Sequence, residues 1–331
     1  MHMAEVTDYE RLAYQLMKGH PILGQIPEGL DDEKRVNTTH FRERREGLPP
    51  ELSFALREWE NLKIKVDPAN RTLWYYMTPH SAPSFTPGLL SDLIDFRNTV
   101  QSIYHRTPAD QKLLYLVSGS GLPGIYNLGG DLGYFAQHIR SKDRERLRRY
   151  AHDCIDLMYS CASSLGLPII LISLVQGDAL GGGFEVALSS DIIIAERSAK
   201  FGLPEILFNL FPGMGAYSFL SRKLDPARAM RMITSGKVYT AEELQQMGLV
   251  ELVVDDGKGE EAVRDYIARN SRKHAIHRTI RDVGRRVNGL TYEELRDVVD
   301  LWVDAAMNLD EQDLRKIERL RAAQAKRVGL T

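Results

Sequence analysis

Cysteine is nearly absent from this chain: 331 residues contain two, Cys154 and Cys161. They fall in the series Leu147, Ala151, Cys154, Met158, Cys161, Leu165, whose steps of four and three mark the buried face of a helix. Two turns separate them by about 10 Å of rise, beyond the reach of a disulfide. No Cys-x-x-Cys or His-Glu-x-x-His spacing occurs and His152 falls on another face, so neither the cysteines nor the histidines form a metal site. No glycine loop ends in Gly-Lys-Ser/Thr, and no dinucleotide fingerprint follows a first strand, which argues against nucleotide cofactors. No metal and no cofactor is expected.

An excess of one charge is also missing. With 43 Lys and Arg against 45 Asp and Glu, there is no general attraction for nucleic acid or an anionic lipid surface. The best apolar run, Pro168 to Val175, is far too short to span a bilayer. The first residues lack a basic segment followed by an apolar one. These absences point to a soluble, cytoplasmic protein without nucleic-acid or membrane partners.

A hydrophobic content of 43% is enough for one large core, or a main domain with a smaller appendage. Residues 1–58 read as a polar N-terminal extension, with a charged run from Asp31 to Glu46. Residues 59–222 read as an α/β core. Leu62 to Val66, the turn residues Asp67 to Asn70, and Leu73 to Met77 form a hairpin. Thr86-Pro87 opens a helix whose apolar face is Leu89, Leu93, Phe96, Val100 and Ile103. The apolar runs Leu113 to Val117 and Ile169 to Val175 each lead into glycine-rich loops, and helices follow from about Arg144 and Phe184. A further apolar strand covers Asp191 to Ala195. Strand, loop and helix recur as a unit, which fits a partly parallel sheet. Residues 223–331 read as a helical region, with starts at Asp225-Pro226, Thr240…Glu243 and Thr291…Glu294 and an end at Gly248. Its last forty residues are amphipathic and suit docking on the core or on another subunit.

The chemistry concentrates in two glutamates, Glu185 after Gly181-Gly182-Gly183-Phe184, and Glu205 in Gly202-Leu203-Pro204-Glu205. Alone, a glutamate at a helix start is more often a dipole-stabilising residue. Beside glycines that let backbone approach a ligand closely, a pair of carboxylates suggests proton transfer next to an activated carbonyl. Two glycine loops, one holding Gly130 and one holding Gly182, can each supply an N–H to an oxyanion hole for a thioester enolate. The basic run Arg140 to Arg149 is in the first place a solvated helix end; a second reading gives it the acidic surface of acyl carrier protein or a coenzyme A phosphate. Trp74, Tyr75 and Tyr76 are better explained by strand packing than by base stacking.

Read together, these segments resemble the crotonase superfamily, the enoyl-CoA hydratase and isomerase group. The resemblance covers about Leu62 to Ile267 and rests on Gly129-Gly130-Asp131-Leu132, the triple glycine, Asp191 to Glu196, Phe201 to Glu205, and Gly236 to Glu243 with Gly248 to Val250. It implies a crotonase-like spiral of ββα units with a C-terminal helical region. Glu185 and Glu205 then occupy the acid/base positions of hydratases, and Gly130 and Gly182 the oxyanion hole. Leu207 to Leu220, with Phe208-Asn209-Leu210-Phe211-Pro212-Gly213-Met214-Gly215, is similar to the diffusible-signal-factor synthases, where ordinary hydratases carry Gly-Gly-Thr-Gln near Ala216 to Phe219. That likeness implies dehydration of a 3-hydroxyacyl thioester, on acyl carrier protein or coenzyme A, with thioesterase release of a cis-2-enoic acid used in quorum sensing. Leu207, Phe211, Met214, Trp302 and Leu320 are the implied acyl-tail residues, and a homotrimer or hexamer the implied assembly. Two rivals stand beside it: an enoyl-CoA hydratase of fatty-acid oxidation, and a non-catalytic acyl-binding protein whose partner is a sensor kinase.

Overall fold

The hairpin expected at the head of the core is present. In the computed structural model, which describes residues 58–327, β1 (Leu62–Asp67) pairs antiparallel with β2 (Thr72–Met77). Apart from Glu58, the expected N-terminal extension lies outside the described residues. α1 (Pro87–Arg106) begins at Thr86, whose hydroxyl accepts the Leu89 N–H at 3.2 Å, and the five apolar residues assigned to its face are all buried.

Next come β3 (Tyr115–Ser120), β4 (Ile125–Asn127), α2 (Leu132–Arg140), α3 (Arg144–Ala162), β5 (Ile170–Val175), β6 (Asp178–Leu180), α4 (Gly182–Ser189), β7 (Ile192–Glu196) and β8 (Lys200–Gly202). α5 (Ala216–Lys223), α6 (Pro226–Ser235), β9 (Val238–Thr240), α7 (Ala241–Gln246), β10 (Leu252–Val254), α8 (Gly259–Asn270), α9 (His274–Val287), α10 (Tyr292–Met307) and α11 (Glu311–Arg327) complete the described chain. Beyond residue 223 the chain is mainly helical, yet β9 closes a small sheet and β10 lies on the edge of a large one. No helix among the described residues is long and apolar enough to cross a membrane. Both cysteines are buried and free on α3.

The large sheet has the order β1-β2-β3-β5-β7-β10, parallel from β2 onward. Alternate side chains on one face (Trp74, Val117, Ile172, Leu174 and Ile194 among them) pack with Val263 and Ile267 of α8. Because helices cover a parallel sheet on both faces, its strands are continuous apolar runs instead of alternating ones. The small sheet, β4-β6-β8-β9, explains the recurring unit seen in the sequence. Three times the chain leaves a long strand (β3, β5, β7), turns, and enters a short one (β4, β6, β8). Those short strands are parallel neighbours, so the segments that follow them, 128–131, 181–185 and 203–205, emerge side by side.

α10 lies along α3 and buries Leu295, Val299, Trp302, Val303 and Ala306. The basic run meets the acids of these C-terminal helices. Arg140 pairs with Glu311 at 2.7 Å and with Glu318. Arg144 pairs with Asp304 at 2.6 Å, and Arg148 with Asp300 at 2.8 Å, where His152 also reaches the same carboxylate. Arg144 and Arg148, four apart, share one face of α3, and Arg140 ends α2 just before it. The first reading of the run, a solvated helix end, fits these partly exposed arginines, whose acids are supplied by the same chain. Exposed ion pairs of this kind add little to stability, whereas truncating a buried tryptophan costs about 3–5 kcal/mol. Denaturant titration is accordingly expected to show Trp302→Ala moving the midpoint far more than Arg144→Gln.

Candidate active site

Each short strand ends on a loop whose backbone is held in place. After β4, the Asn127 side chain accepts the Gly129 N–H at 2.8 Å, and the Gly129 carbonyl accepts the Phe85 N–H at 2.8 Å. Asp131 then caps α2, its Oδ1 accepting the Gly133 and Tyr134 N–H groups at 3.0 Å each. After β6, Gly181 donates to the Gly202 carbonyl at 2.8 Å with φ of +52°, a conformation that glycine adopts without strain. α4 starts at the next residue, so the Gly182 N–H belongs to the unsatisfied first turn of a helix. The two loops touch: a Cβ on Gly129 would stand 3.0 Å from the Gly182 nitrogen. Neither the Gly130 nor the Gly182 N–H has an acceptor among the described residues.

Glu185 lies one turn into α4 and is 1% exposed. Its Oε1 accepts the N–H groups of Met214 and Ala216, both at 2.8 Å. Burial first, and then the charge of Glu205, push its carboxyl well above the usual range, against those two hydrogen bonds. Glu205 sits in the 3₁₀ turn Pro204–Phe208. The residue is partly buried, and its Oε2 is buried without a partner among the described residues. Oε1 would lie 2.6 Å from a Cβ on Gly181, so any larger residue there would strike it. Burial lifts Glu205 to about 7. Both carboxyls are thus displaced upward, and the two titrate as a pair.

A cavity of about 100 Å³ joins these groups. Glu185, Glu205, Gly130, Gly182, Met214, Trp302 and Leu320 all line it, as the sequence reading places them. Leu207 and Phe211 do not. Leu207 is 64% exposed, whereas Phe208 and Leu210, read from the sequence as apolar surface of the same segment, do line the cavity. A 3₁₀ turn repeats every three residues, so Phe208 shares the Glu205 side while Leu207 faces outward. Asn209, at φ of +60°, then redirects the chain and returns Leu210 inward. Several lining residues were given no site role in the sequence, Phe135, Tyr150, Cys154 and Gln324 among them. Tyr150 and Cys154 lie four apart on the α3 face already marked by Leu147 and Ala151, which was the available signal. Gln324, whose Nε2 donates to Leu128 O at 3.4 Å, had none. Among the described residues no group of three or more His, Cys, Asp or Glu side chains could hold a metal ion.

Residues 98–289 match the family described as enoyl-CoA hydratase/isomerase. The chain belongs to that family. A probable enoyl-CoA hydratase of Rhizobium meliloti is 46% identical over 84 residues, 25% of this chain and 33% of that protein. The curated relatives that the chain matches are covered over roughly a quarter to a half of their own length. Among solved structures, an enoyl-CoA hydratase from Bacillus halodurans has a TM-score of 0.65 at 21% identity, covering 79% of this chain and all of that one. It shares the α/β crotonase fold. Pseudomonas aeruginosa DspI has a TM-score of 0.58 at 27% identity, covering 82% of this chain and 97% of that one.

The raised Glu205 has a consequence for stability. Above about pH 4.3 the unfolded chain releases this proton, while the folded chain keeps it until about 7. The folded state then binds more protons, so this group makes stability fall as pH rises through that window and levels off above it. Glu205→Gln removes the burden. Thermal unfolding is expected to show the variant more stable than the parent at about pH 8, by up to about 3 kcal/mol, with the difference vanishing towards about pH 4.

Proposed function

We propose that the protein dehydrates a 3-hydroxyacyl thioester and hydrolyses the product to a free cis-2-enoic acid, as the diffusible-signal-factor synthases do. The observation that carries this reading is the continuity of one cavity, from the buried Glu185–Glu205 pair to the apolar surface of Phe208, Leu210, Met214, Trp302 and Leu320. A thioester carbonyl against the Gly130 and Gly182 N–H groups places its α-carbon beside the carboxylates. Ionised Glu205 takes the α-proton, and the resulting enolate oxygen is held by the two N–H groups, each worth about 3 kcal/mol of barrier. Protonated Glu185 then protonates the departing 3-hydroxyl, which leaves as water, while the electron pair forms the C2–C3 double bond. Addition of water to the thioester carbonyl releases the carrier thiol and the free acid, using the same oxyanion site. Acyl carrier protein or coenzyme A serves as carrier, and no cofactor takes part.

A second reading, hydration of an enoyl-CoA in fatty-acid oxidation, draws on the 46% identity to the probable hydratase of Rhizobium meliloti. Incubation with 3-hydroxydodecanoyl carrier protein and with crotonyl-CoA, followed by mass spectrometry, separates them. We expect free 2-enoic acid from the first substrate; rapid hydration of crotonyl-CoA without free acid would instead establish the second. Glu185→Gln and Glu205→Gln should each lower turnover by about 10²–10⁴-fold in folded protein, and full activity in either variant would overturn the acid/base assignment.

Assembly with further copies of the chain belongs to the same proposal. α9 exposes Ile276, Ile280, Val283 and Val287, each more than half accessible, along one stripe. An apolar stripe of this length on a surface helix suits an interface. Light scattering should report three or six times the chain mass of 37.5 kDa, and Ile280→Asp should lower it; a monomer in the parent protein would refute this part.

A further inference from the structure

The Tyr150 hydroxyl bonds to backbone from two segments of the chain. It donates to the Phe85 carbonyl and accepts the Asp131 N–H at 3.0 Å, which uses the single proton of a phenol and one of its lone pairs. Phe85 returns to the same loop through its own N–H, which donates to Gly129 O at 2.8 Å. A trans peptide is planar, with its C=O and N–H pointing in opposite directions. The bond to Gly129 O therefore fixes the direction of the Gly130 N–H, which shares that peptide. The bond from Asp131 N fixes the peptide on the other side of Gly130. Tyr150 thus joins Phe85, the residue whose N–H orients one peptide, to the N–H of the next.

Packing confines the same residue. The Tyr150 ring stacks on Tyr134 at 5.0 Å and meets Phe135 edge-on at 5.5 Å. Phe135 lies so close beneath Gly130 that a Cβ there would come within 2.3 Å of its ring. Tyr150 is 5% exposed and lines the cavity. Burial holds its phenol well above the ordinary value, so the O–H persists across the working range.

We propose that Tyr150 is a positioning residue for the oxyanion site, its hydroxyl setting the direction of the Gly130 N–H towards the substrate carbonyl. The proposal rests on the reading that Gly130 and Gly182 bind the thioester oxygen. The test uses Tyr150→Phe and the ketone analogue of dodecanoyl-CoA in which a methylene replaces the thioester sulfur, labelled with carbon-13 at the carbonyl. Difference infrared spectroscopy reads the carbonyl stretch, which falls when donors polarise the bond. In the parent protein the band is expected to shift down on binding, and in Tyr150→Phe at least half of that shift should be lost. Turnover of the hydroxyacyl substrate should fall about 10- to 100-fold while KM stays within about threefold. Site-specific 3-fluorotyrosine at position 150 keeps both ring and hydroxyl, and should retain the shift. A parent protein that leaves the carbonyl band unmoved would overturn the oxyanion reading itself. A parent shift that survives unchanged in Tyr150→Phe, or is lost equally in the fluorotyrosine protein, would overturn the role of the hydroxyl and leave the oxyanion reading standing.

Discussion

The site depends on one buried carboxylate that holds two segments together. Glu185 leaves the first turn of α4 and accepts the N–H groups of Met214 and Ala216, so the helix carrying Gly182 is tied to the segment that shapes the apolar end of the cavity. Main-chain donors that would otherwise be unsatisfied at the start of α5 find their acceptor in a side chain. An acceptor of this kind works whether or not the other oxygen carries a proton, which leaves Oε2 available for chemistry. Met214 in turn lies against Gly182, where a Cβ would stand 2.4 Å from its sulfur. The geometry of the proposed donor and that of the proposed acid are therefore set by the same pair of hydrogen bonds.

Holding two carboxylates in one buried site is unfavourable, and no cation among the described residues offsets it. Burial leads the causes that raise both groups, and the Glu205 charge adds to the rise at Glu185. A structural ion pair would have depressed them, as the arginine beside Asp300 depresses that acid to about 2. Perturbation upward, without a counter-charge, is the state a proton-transfer pair needs near neutral pH. It also identifies the site as a place where stability gives way to chemistry.

Much of this was legible in the sequence because it is local. The Thr86 cap, the hairpin from Leu62 to Met77 and the buried runs feeding glycine loops each follow from backbone rules that operate within a few residues. Gly130, Gly182, Glu185 and Glu205 could be singled out together because three consecutive strand–loop units each carry one part. The failures are tertiary. Leu207 and Phe208 are equally apolar in sequence, and only the threefold repeat of the turn after Pro204 decides which faces the cavity. The acids that pair with Arg140, Arg144 and Arg148 were not legible beside that run because they lie more than 150 residues away in α10 and α11. Tyr150 carries no motif; its role depends on two backbone groups from separate loops.

The C-terminal helices then acquire a meaning that neither their amphipathic pattern nor their charges convey alone. Val299, Trp302 and Leu320 close the apolar end of the cavity, and Trp302 meets Phe135 at 5.0 Å. Phe135 is the ring on which Gly130 rests. The wall of the proposed tail pocket and the floor of the proposed oxyanion site are consequently neighbours through one aromatic contact. Packing this dense does not deform without moving its neighbours, so the two ends of the cavity are linked mechanically through Trp302 and Phe135.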